Sequence, residues 1–424
     1  MEKRTLAERD QAIIWHPYTQ MQQALPPIPI VRGEGAYLID ENGKKYLDAI
    51  SSWWVNLHGH SHPYIATMVA QQLNTLEHAI FAGFTHPAAI NLAERLLKLL
   101  PANQAKVFYS DNGSTAVEVA LKMCLQYWSN KEKPRTKILA FHNSYHGDTF
   151  GAMAVSARSA FTTPFEKLLF EVEFIDTPHA ENIEQLKSHI SSLKSDLAGF
   201  IFEPLVQGSG GMLMYEDRYL DELMAHCKQE GIFTIADEVM TGFGRTGKLF
   251  ACQHLLAQPD LMCFSKGLTG GTMALGATTC TQEIYDAFLS NDRLKTLFHG
   301  HSFTANPVAC SAALASMDLL EEPQTHEHIH RIAKQHEAFR LKIRNHPRLK
   351  EVRQTGTILA LEWKTEQGTS YFNNLGQNLY NYFLDQGIIL RPLGNIIYIL
   401  PPYCITAEQL EYIYSKIEEA LERF

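Results

Sequence analysis

The sequence predicts an α/β fold: a mostly parallel sheet sandwiched by helices in a large domain, with a smaller α+β domain beside it. Three observations predict it. Short apolar runs recur between about residues 86 and 310, and helical patterns lie between several of them. The runs are apolar throughout instead of alternating, as strands covered on both faces must be. From about residue 311 the pattern changes to long helices separated by short strands. The organisation expected is an N-terminal segment 1–60 that joins the small domain, a large domain 61–310 and a C-terminal small domain 311–424.

The elements follow in order. In 36–50, AYLIDENGKKYLDAI, two apolar segments flank Asn42-Gly43, a strong hairpin signal because both residues tolerate the positive φ of a tight turn. The next stretch, SSWWVNLHGHSHP, is too rich in Gly, His and Trp for a regular element and reads as a loop. Helical periodicity over 64–80 sets Ile65, Met68, Val69, Leu73 and Leu76 on one face. Buried strands are expected at 106–110, 137–141, 171–175, 198–203, 231–236 and 261–264, with helices at 114–128, 183–193 and 217–230. Further helices are expected at 306–320, 326–345, 371–386 and 407–423, with strands at 357–363 and 396–400. The hairpin lies outside the alternating region and is expected to join this last part.

A chain of 424 residues with 45% hydrophobic content can bury a large core. Its net charge is −9 and no basic block is interleaved with aromatics, which argues against nucleic acid as a partner. No strongly apolar stretch reaches the roughly 18 residues of a membrane span. The opening run MEKRTLAERDQAIIW lacks the apolar region of a secretory signal. Seven scattered cysteines without a CxxC pair read as reduced thiols, so the compartment expected is the cytoplasm.

In parallel sheets ligands bind at the carboxyl ends of strands, so the chemistry is sought there. Asp237 ends the run GIFTIAD. A carboxylate at the end of a buried strand is costly without a cationic partner, such as a protonated pyridine nitrogen; a helix cap or structural ion pair is the alternative. Lys266 follows the next apolar run, DLMCFS. It is either a solvated surface group or an amine able to form a Schiff base with an aldehyde and to move a proton. Ending successive strands, the two can face one crevice. Asp111-Asn112-Gly113-Ser114-Thr115 joins a strand to a helix, where Gly allows close approach and free N–H groups and hydroxyls suit a phosphate; an ordinary N-cap is the alternative. Tyr145, in Ser144-Tyr145-His146-Gly147 after the KILAF strand, either stacks on a flat ring or packs in the core.

Two patterns point elsewhere and are weak. Gly242-Phe243-Gly244-Arg245-Thr246-Gly247 matches G-x-G-x-x-G, but the segment after it is too short for a crossover helix and Asp260 comes too early for a dinucleotide site. His58, His60 and His62, and His326, His328 and His330, invite a metal. The second set alternates along a helical pattern and shares no face, and the first has no nearby acid or thiol, so no metal is expected.

Taken together, IFTIADEVMTGFGRTGKLFACQH and PDLMCFSKGLTGG, with Asp237 and Lys266 29 residues apart, resemble the class III aminotransferases, pyridoxal-phosphate-dependent enzymes of fold type I. DNGSTAVEVALK, YHGDTFGAMAVS, FEPLVQGSGGM and HGHSFTANPVAC fit the same family, and the resemblance runs from about residue 15 to the C-terminus. It implies pyridoxal 5'-phosphate as cofactor, with Lys266, Asp237 and Tyr145 as catalytic residues: Lys266 as the Schiff-base lysine, Asp237 on the pyridine nitrogen and Tyr145 on the ring. It also implies Gly113 and Ser114 on the phosphate, helped by Ser302 from a second subunit of a homodimer; many relatives carry Thr at that place.

Three further segments, WHPYTQM (15–21), SSWWVNLHGH (51–60) and RPLG (391–394) continuing to Tyr398 and PPY, resemble the branch of the family that serves biotin biosynthesis. In that branch 8-amino-7-oxononanoate receives the amino group, usually from S-adenosylmethionine and in some relatives from lysine, by a ping-pong route through pyridoxamine phosphate. The resemblance implies that Tyr18, Trp53, Trp54 and Tyr398 wall a substrate tunnel, that Arg391 holds the substrate carboxylate, and that Arg245 tunes substrate binding. An apolar chain suits aromatic walls, and a carboxylate suits the guanidinium fork. Trp53 and Trp54 are adjacent, so in an extended segment they point opposite ways and only a local kink brings both to one surface.

Overall fold

The computed structural model describes residues 4–424; residues 1–3, the start of the expected 1–60 segment and of the run read for a secretory signal, lie outside the described residues. A seven-stranded sheet forms the centre. Its spatial order is Gln104–Ser110, Gly276–Thr281, Leu261–Phe264, Phe233–Asp237, Leu197–Phe202, Lys137–Phe141 and Val172–Ile175. All six strands expected from the apolar runs are present. The seventh, Gly276–Thr281, is antiparallel to both neighbours. Its sequence, GATTCT, has no apolar run to announce it; it is buried because neighbours cover it, and Thr278 Oγ1 donates to the Ala116 carbonyl at 2.7 Å.

Strands in the middle carry large apolar side chains on both faces. Phe200 and Phe202 are fully buried, as are Ile201 and Ile235 beside them. Each such side chain contributes about 1.5–3 kcal/mol by leaving water. The helix Gly113–Asn130 starts where Gln104–Ser110 ends. Asn112 caps it, accepting from Thr115 N at 3.0 Å while Asn112 N donates to Thr115 Oγ1 at 3.1 Å. That reciprocal pair fixes the turn in which Gly113 and Ser114 sit.

The hairpin forms as expected, with Tyr37–Asp40 antiparallel to Lys45–Asp48 across Asn42-Gly43. Ile388–Ile389 adds to it in parallel, which ties the N-terminal hairpin to the C-terminal part of the chain. A second small sheet pairs Leu349–Thr355, Ile358–Trp363 and Ile396–Ile399. The helix Pro307–Leu320 runs across position 310 and packs on Pro63–Thr75, on Pro87–Leu99 and on the turn after Lys266. Its centre is apolar on all sides, because it is covered on all sides.

Candidate active site

The cavity opens at the carboxyl ends of the central strands, as the topology requires. It measures about 650 Å³, and its lining includes Gly113, Ser114, Tyr145, Asp237, Lys266 and Trp54. Asp237 closes one strand and Lys266 follows the neighbouring strand, with Asp237 in register with Cys263. Lys266 Nζ lies 4.5 Å from the centre of the Trp54 ring. Its backbone is left-handed, with φ 47°. For a residue with a Cβ that costs about 1–2 kcal/mol. Burial lowers the Lys266 amine to about 8, against the opposing pull of the Asp237 and Glu203 carboxylates. An amine of that kind is a nucleophile near neutral pH.

Asp237 does not stand alone. His146 Nδ1–H donates to its Oδ2 at 2.7 Å, and Val239 N donates to Oδ1 at 3.1 Å. Both side chains are buried, so the imidazole holds the carboxylate aimed into the cavity. The sequence placed His146 next to Tyr145 without assigning it a role. Its partner is 91 positions away, and only the sheet brings them together. Glu203, at the end of the apolar run LAGFIF, also lines the cavity and was not singled out. The signal that picked Asp237 picks it too: a carboxylate where a fully buried strand stops.

At the opposite end, Ser114 and Gly113 form the first turn of Gly113–Asn130, where free N–H groups point into the cavity mouth. Two close approaches keep this corner open. A Cβ on Gly113 would meet Val239 Cγ1 at 2.8 Å, and one on Gly147, at φ 132°, would meet Ser114 Oγ at 2.0 Å. Asp148 N donates to Ser114 Oγ at 3.2 Å. A phosphate at a capped helix start, a carboxylate for a ring nitrogen and a buried amine for an aldehyde are the three anchors that pyridoxal 5'-phosphate needs. Gly113, Ser114, Asp237 and Lys266 therefore fit that group, with Tyr145 beside them on the cavity wall.

Around Trp54 and Asp148, which line the cavity, distant segments add Tyr18, Trp53 and Arg391 just outside its lining. Ser51–Trp54 is not the loop read from sequence but a single helical turn of left-handed hand, with φ 53°, 54°, 103° and 73°. Four such residues cost on the order of 4–8 kcal/mol. Buried Asp48 offsets this: its oxygens accept from Ile50 N at 3.1 Å, Ser52 N at 2.7 Å and Ser52 Oγ at 3.2 Å. Bonds to a charged acceptor contribute about 1.5–3 kcal/mol each. The turn is the local kink that lets both tryptophans serve one surface. Trp54 is buried over Lys266, while Trp53 meets the Tyr18 ring edge-on at 5.5 Å and lies 4.2 Å beneath the Arg391 guanidinium. Tyr18 donates from its hydroxyl to Asp148, and that hydroxyl is 3.3 Å from the Tyr145 hydroxyl. Asp148 is a second residue the sequence reasoning missed; it had no strand-end or spacing signal of its own. A side chamber of about 280 Å³ shares Tyr145, Gly147 and Asp148 with the main cavity.

Two expected placements are corrected by this geometry, and a third residue lies where a role toward a second subunit would put it. Arg245 does not face the cavity: it is 1% exposed and donates to the carbonyls of Pro401 at 2.9 Å and Asn56 at 3.0 Å. It braces the wall from behind, because the GFGRTG segment turns inward and its next regular element is the short turn Ala251–His254. Tyr398 is also 1% exposed and stands behind Trp54, ring centres 5.9 Å apart, so it backs the wall without lining it. Ser302 sits exposed on the loop before Pro307 and does not line this chain's cavity. Of the histidines, His60 pairs with Asp48 at 2.9 Å, and burial drives His58 down to about 3.

The family model for class-III aminotransferases matches residues 18–421. The chain belongs to the class-III aminotransferases. This aminotransferase is 48% identical over 419 residues to the adenosylmethionine-8-amino-7-oxononanoate aminotransferase of Synechococcus elongatus, covering 96% of this chain and 98% of that protein. It is 39% identical over 446 residues to the protein of the same name from Geobacter sulfurreducens, covering 99% and 98%. Among solved structures, the adenosylmethionine-8-amino-7-oxononanoate aminotransferase of Methanocaldococcus jannaschii superposes with a TM-score of 0.94 at 37% identity, covering 99% and 98% of the two chains. The omega transaminase of Pseudomonas jessenii, solved in complex with PMP, gives 0.93 at 28% identity, with coverage of 99% and 98%. The cofactor of this aminotransferase is pyridoxal 5'-phosphate, which the anchors at Gly113–Ser114, Asp237 and Lys266 fit.

Proposed function

We propose that this aminotransferase converts 8-amino-7-oxononanoate to 7,8-diaminononanoate in biotin biosynthesis, with S-adenosylmethionine as amino donor. The observation that carries the reading is the aromatic wall that ends in a guanidinium. Lys266 lies against the Trp54 ring, and the adjacent Trp53 lies against the Arg391 guanidinium; this run of aromatics ending in a cation suits an apolar chain closed by a carboxylate. The relatives' shared name supports the same acceptor and donor.

When bound, the cofactor supplies an electron sink for the carbanion left when the donor carbon loses its proton. The protein does the rest. Asp237, steadied by His146, stabilises positive charge at the ring nitrogen. Lys266, once its nitrogen is free, would accept the proton from the donor carbon and pass it to the cofactor within the same half-reaction, and would carry a proton the opposite way, onto the acceptor carbon, in the second. Trp54 keeps water from that amine, Tyr145 holds the ring face, and Arg391 aligns the acceptor. One site serving two unlike substrates in turn gives ping-pong kinetics.

The enzyme acts as a homodimer with its site at the subunit interface. Ile80, Phe84, Phe298 and Phe303 are exposed on two adjoining loops, which Asn306 Nδ2 ties together by donating to the Glu77 carbonyl at 3.1 Å. Ser302 lies on one of these loops, and in the proposed dimer it serves the partner's phosphate corner. The seven cysteines are all free thiols, which fits the cytoplasm.

Purified enzyme is given 8-amino-7-oxononanoate with S-adenosylmethionine or lysine, and products are read by mass spectrometry. Diamine formed with S-adenosylmethionine is expected. Diamine with lysine alone reassigns the donor, and no diamine with either leaves an aminotransferase acting on another ω-amine or keto acid.

A further inference from the structure

Glu203 is a buried carboxylate that the reaction as described does not use. It is 5% exposed and lines the same cavity as Lys266 and Asp237. Each of its oxygens accepts one backbone N–H. Oε2 takes Tyr145 N at 3.0 Å, and Oε1 takes Gly208 N at 3.0 Å. The two donors come from different loops, one after the strand Lys137–Phe141 and one in the Val206–Met214 hairpin. A side chain must accept on both oxygens to join them, and only a carboxylate does so; an amide presents one acceptor and one donor.

Glu238 gives the contrast within the same fold. It too is wholly buried, and it accepts from Ala251 N at 3.0 Å, Cys252 N at 2.7 Å and Thr241 Oγ1 at 2.9 Å. Three donors satisfy it, and it does not line the cavity. Glu203 has two backbone donors only, so its charge is incompletely met by hydrogen bonds. The groups facing it are His146 and Tyr145 from one loop, Asp237 from the adjacent strand end, Lys266 across the cavity and Tyr215, whose hydroxyl donates to the Glu203 carbonyl. Arg245 lies behind Lys266 and opposes its protonation. Arg353 donates to the Gly211 and Met212 carbonyls at the far side of the hairpin and reaches neither oxygen of Glu203. Among these, Lys266 is the cation that a charged Glu203 can support.

We propose that Glu203 is a positioning residue for amino transfer: it holds the Tyr145 face and the Gly208 loop against the cavity, and its negative charge favours a protonated nitrogen at Lys266. Burial, reinforced by Asp237, raises its carboxyl to about 7, so the charge is present on the alkaline side of neutrality. The inference rests on Lys266 carrying the cofactor.

The test titrates the visible absorbance of the cofactor-loaded enzyme against pH and compares Glu203→Gln, Glu203→Asp and Glu238→Gln. In Glu203→Gln the midpoint is expected to fall by about one pH unit, a tenfold change in proton affinity. Glu203→Asp keeps the charge but is too short to bridge both N–H groups, so it should weaken cofactor binding yet hold the midpoint. Glu238→Gln should leave the midpoint unmoved. An unmoved midpoint in Glu203→Gln, or equal shifts in the Gln and Asp variants, overturns the proposal. If Glu203→Gln is unfolded by circular dichroism, the Asp variant decides alone: a midpoint that falls there overturns it. A parent enzyme whose visible band survives Lys266→Ala would instead overturn the assignment of Lys266.

Discussion

The two halves of the active site are built differently. The inner half, Gly113–Ser114, Tyr145, Asp237 and Lys266, consists of residues at a helix start, at a strand end or in the loop just past one in the central sheet. The outer half, Tyr18, Trp53, Trp54, Asp148 and Arg391, is assembled from segments far apart in the chain, around one strained left-handed turn. Under the proposed function, the inner half carries the chemistry and the outer half selects the amine and the ketone. Fixed strand ends make the first rigid, and side-chain contacts between loops make the second adjustable, which is how one fold serves many substrates.

Substitutions in the two halves should therefore separate chemistry from selection. The largest effect is expected for Lys266→Ala, which removes both the covalent anchor and the proton carrier. Turnover should drop on the order of 10⁴-fold or more, read from initial rates with each donor. Residual turnover within tenfold of the parent would break the division. Asp237→Ala leaves the His146 imidazole buried without its acceptor. Loss of one group that stabilises charge in the reacting system costs about 10²–10³-fold, so kcat should fall by that much for all substrates alike. Arg391→Ala should raise the acceptor KM by about 30–100-fold and leave the donor half-reaction nearly intact, as single-turnover kinetics would show.

The pH response belongs to the inner half. The Lys266 amine lies near 8, lowered by burial, and only its neutral form attacks an aldehyde. Cofactor capture by the apoprotein should thus quicken about tenfold per pH unit below that value and level off above it, followed by stopped-flow absorbance. A rate falling as pH rises would contradict the buried-amine assignment. The smallest effect is expected in the outer half. Tyr18→Phe removes the hydroxyl that Asp148 accepts from and should change kcat/KM only about two- to tenfold, the worth of one partly exposed hydrogen bond.

The same contrast explains what could be read from the chain. Asp237 and Lys266 were legible because strand-end polar residues stand out against apolar runs, and Gly113–Ser114 because helix starts have a composition of their own. Glu203 carried that signal and was passed over. Asp148 and the handedness of Ser51–Trp54 carried none. Arg245 is the opposite case: the resemblance implied a part in substrate binding, yet the side chain is folded under the wall to satisfy backbone carbonyls.

By itself the sequence determined the alternation of strands and helices, the hairpin at Asn42-Gly43, and the acid and amine at successive strand ends, since burial and turn chemistry act over a few residues. The tertiary structure alone decided that Gly276–Thr281 completes the sheet, that His146 backs Asp237, that Tyr398 hides behind Trp54, and that Asp48 stabilises a left-handed turn. The first three depend on contacts between residues tens or hundreds of positions apart, whose energies exist only once the chain has closed around them, and the turn at Asp48, though local, matches no pattern of residue types.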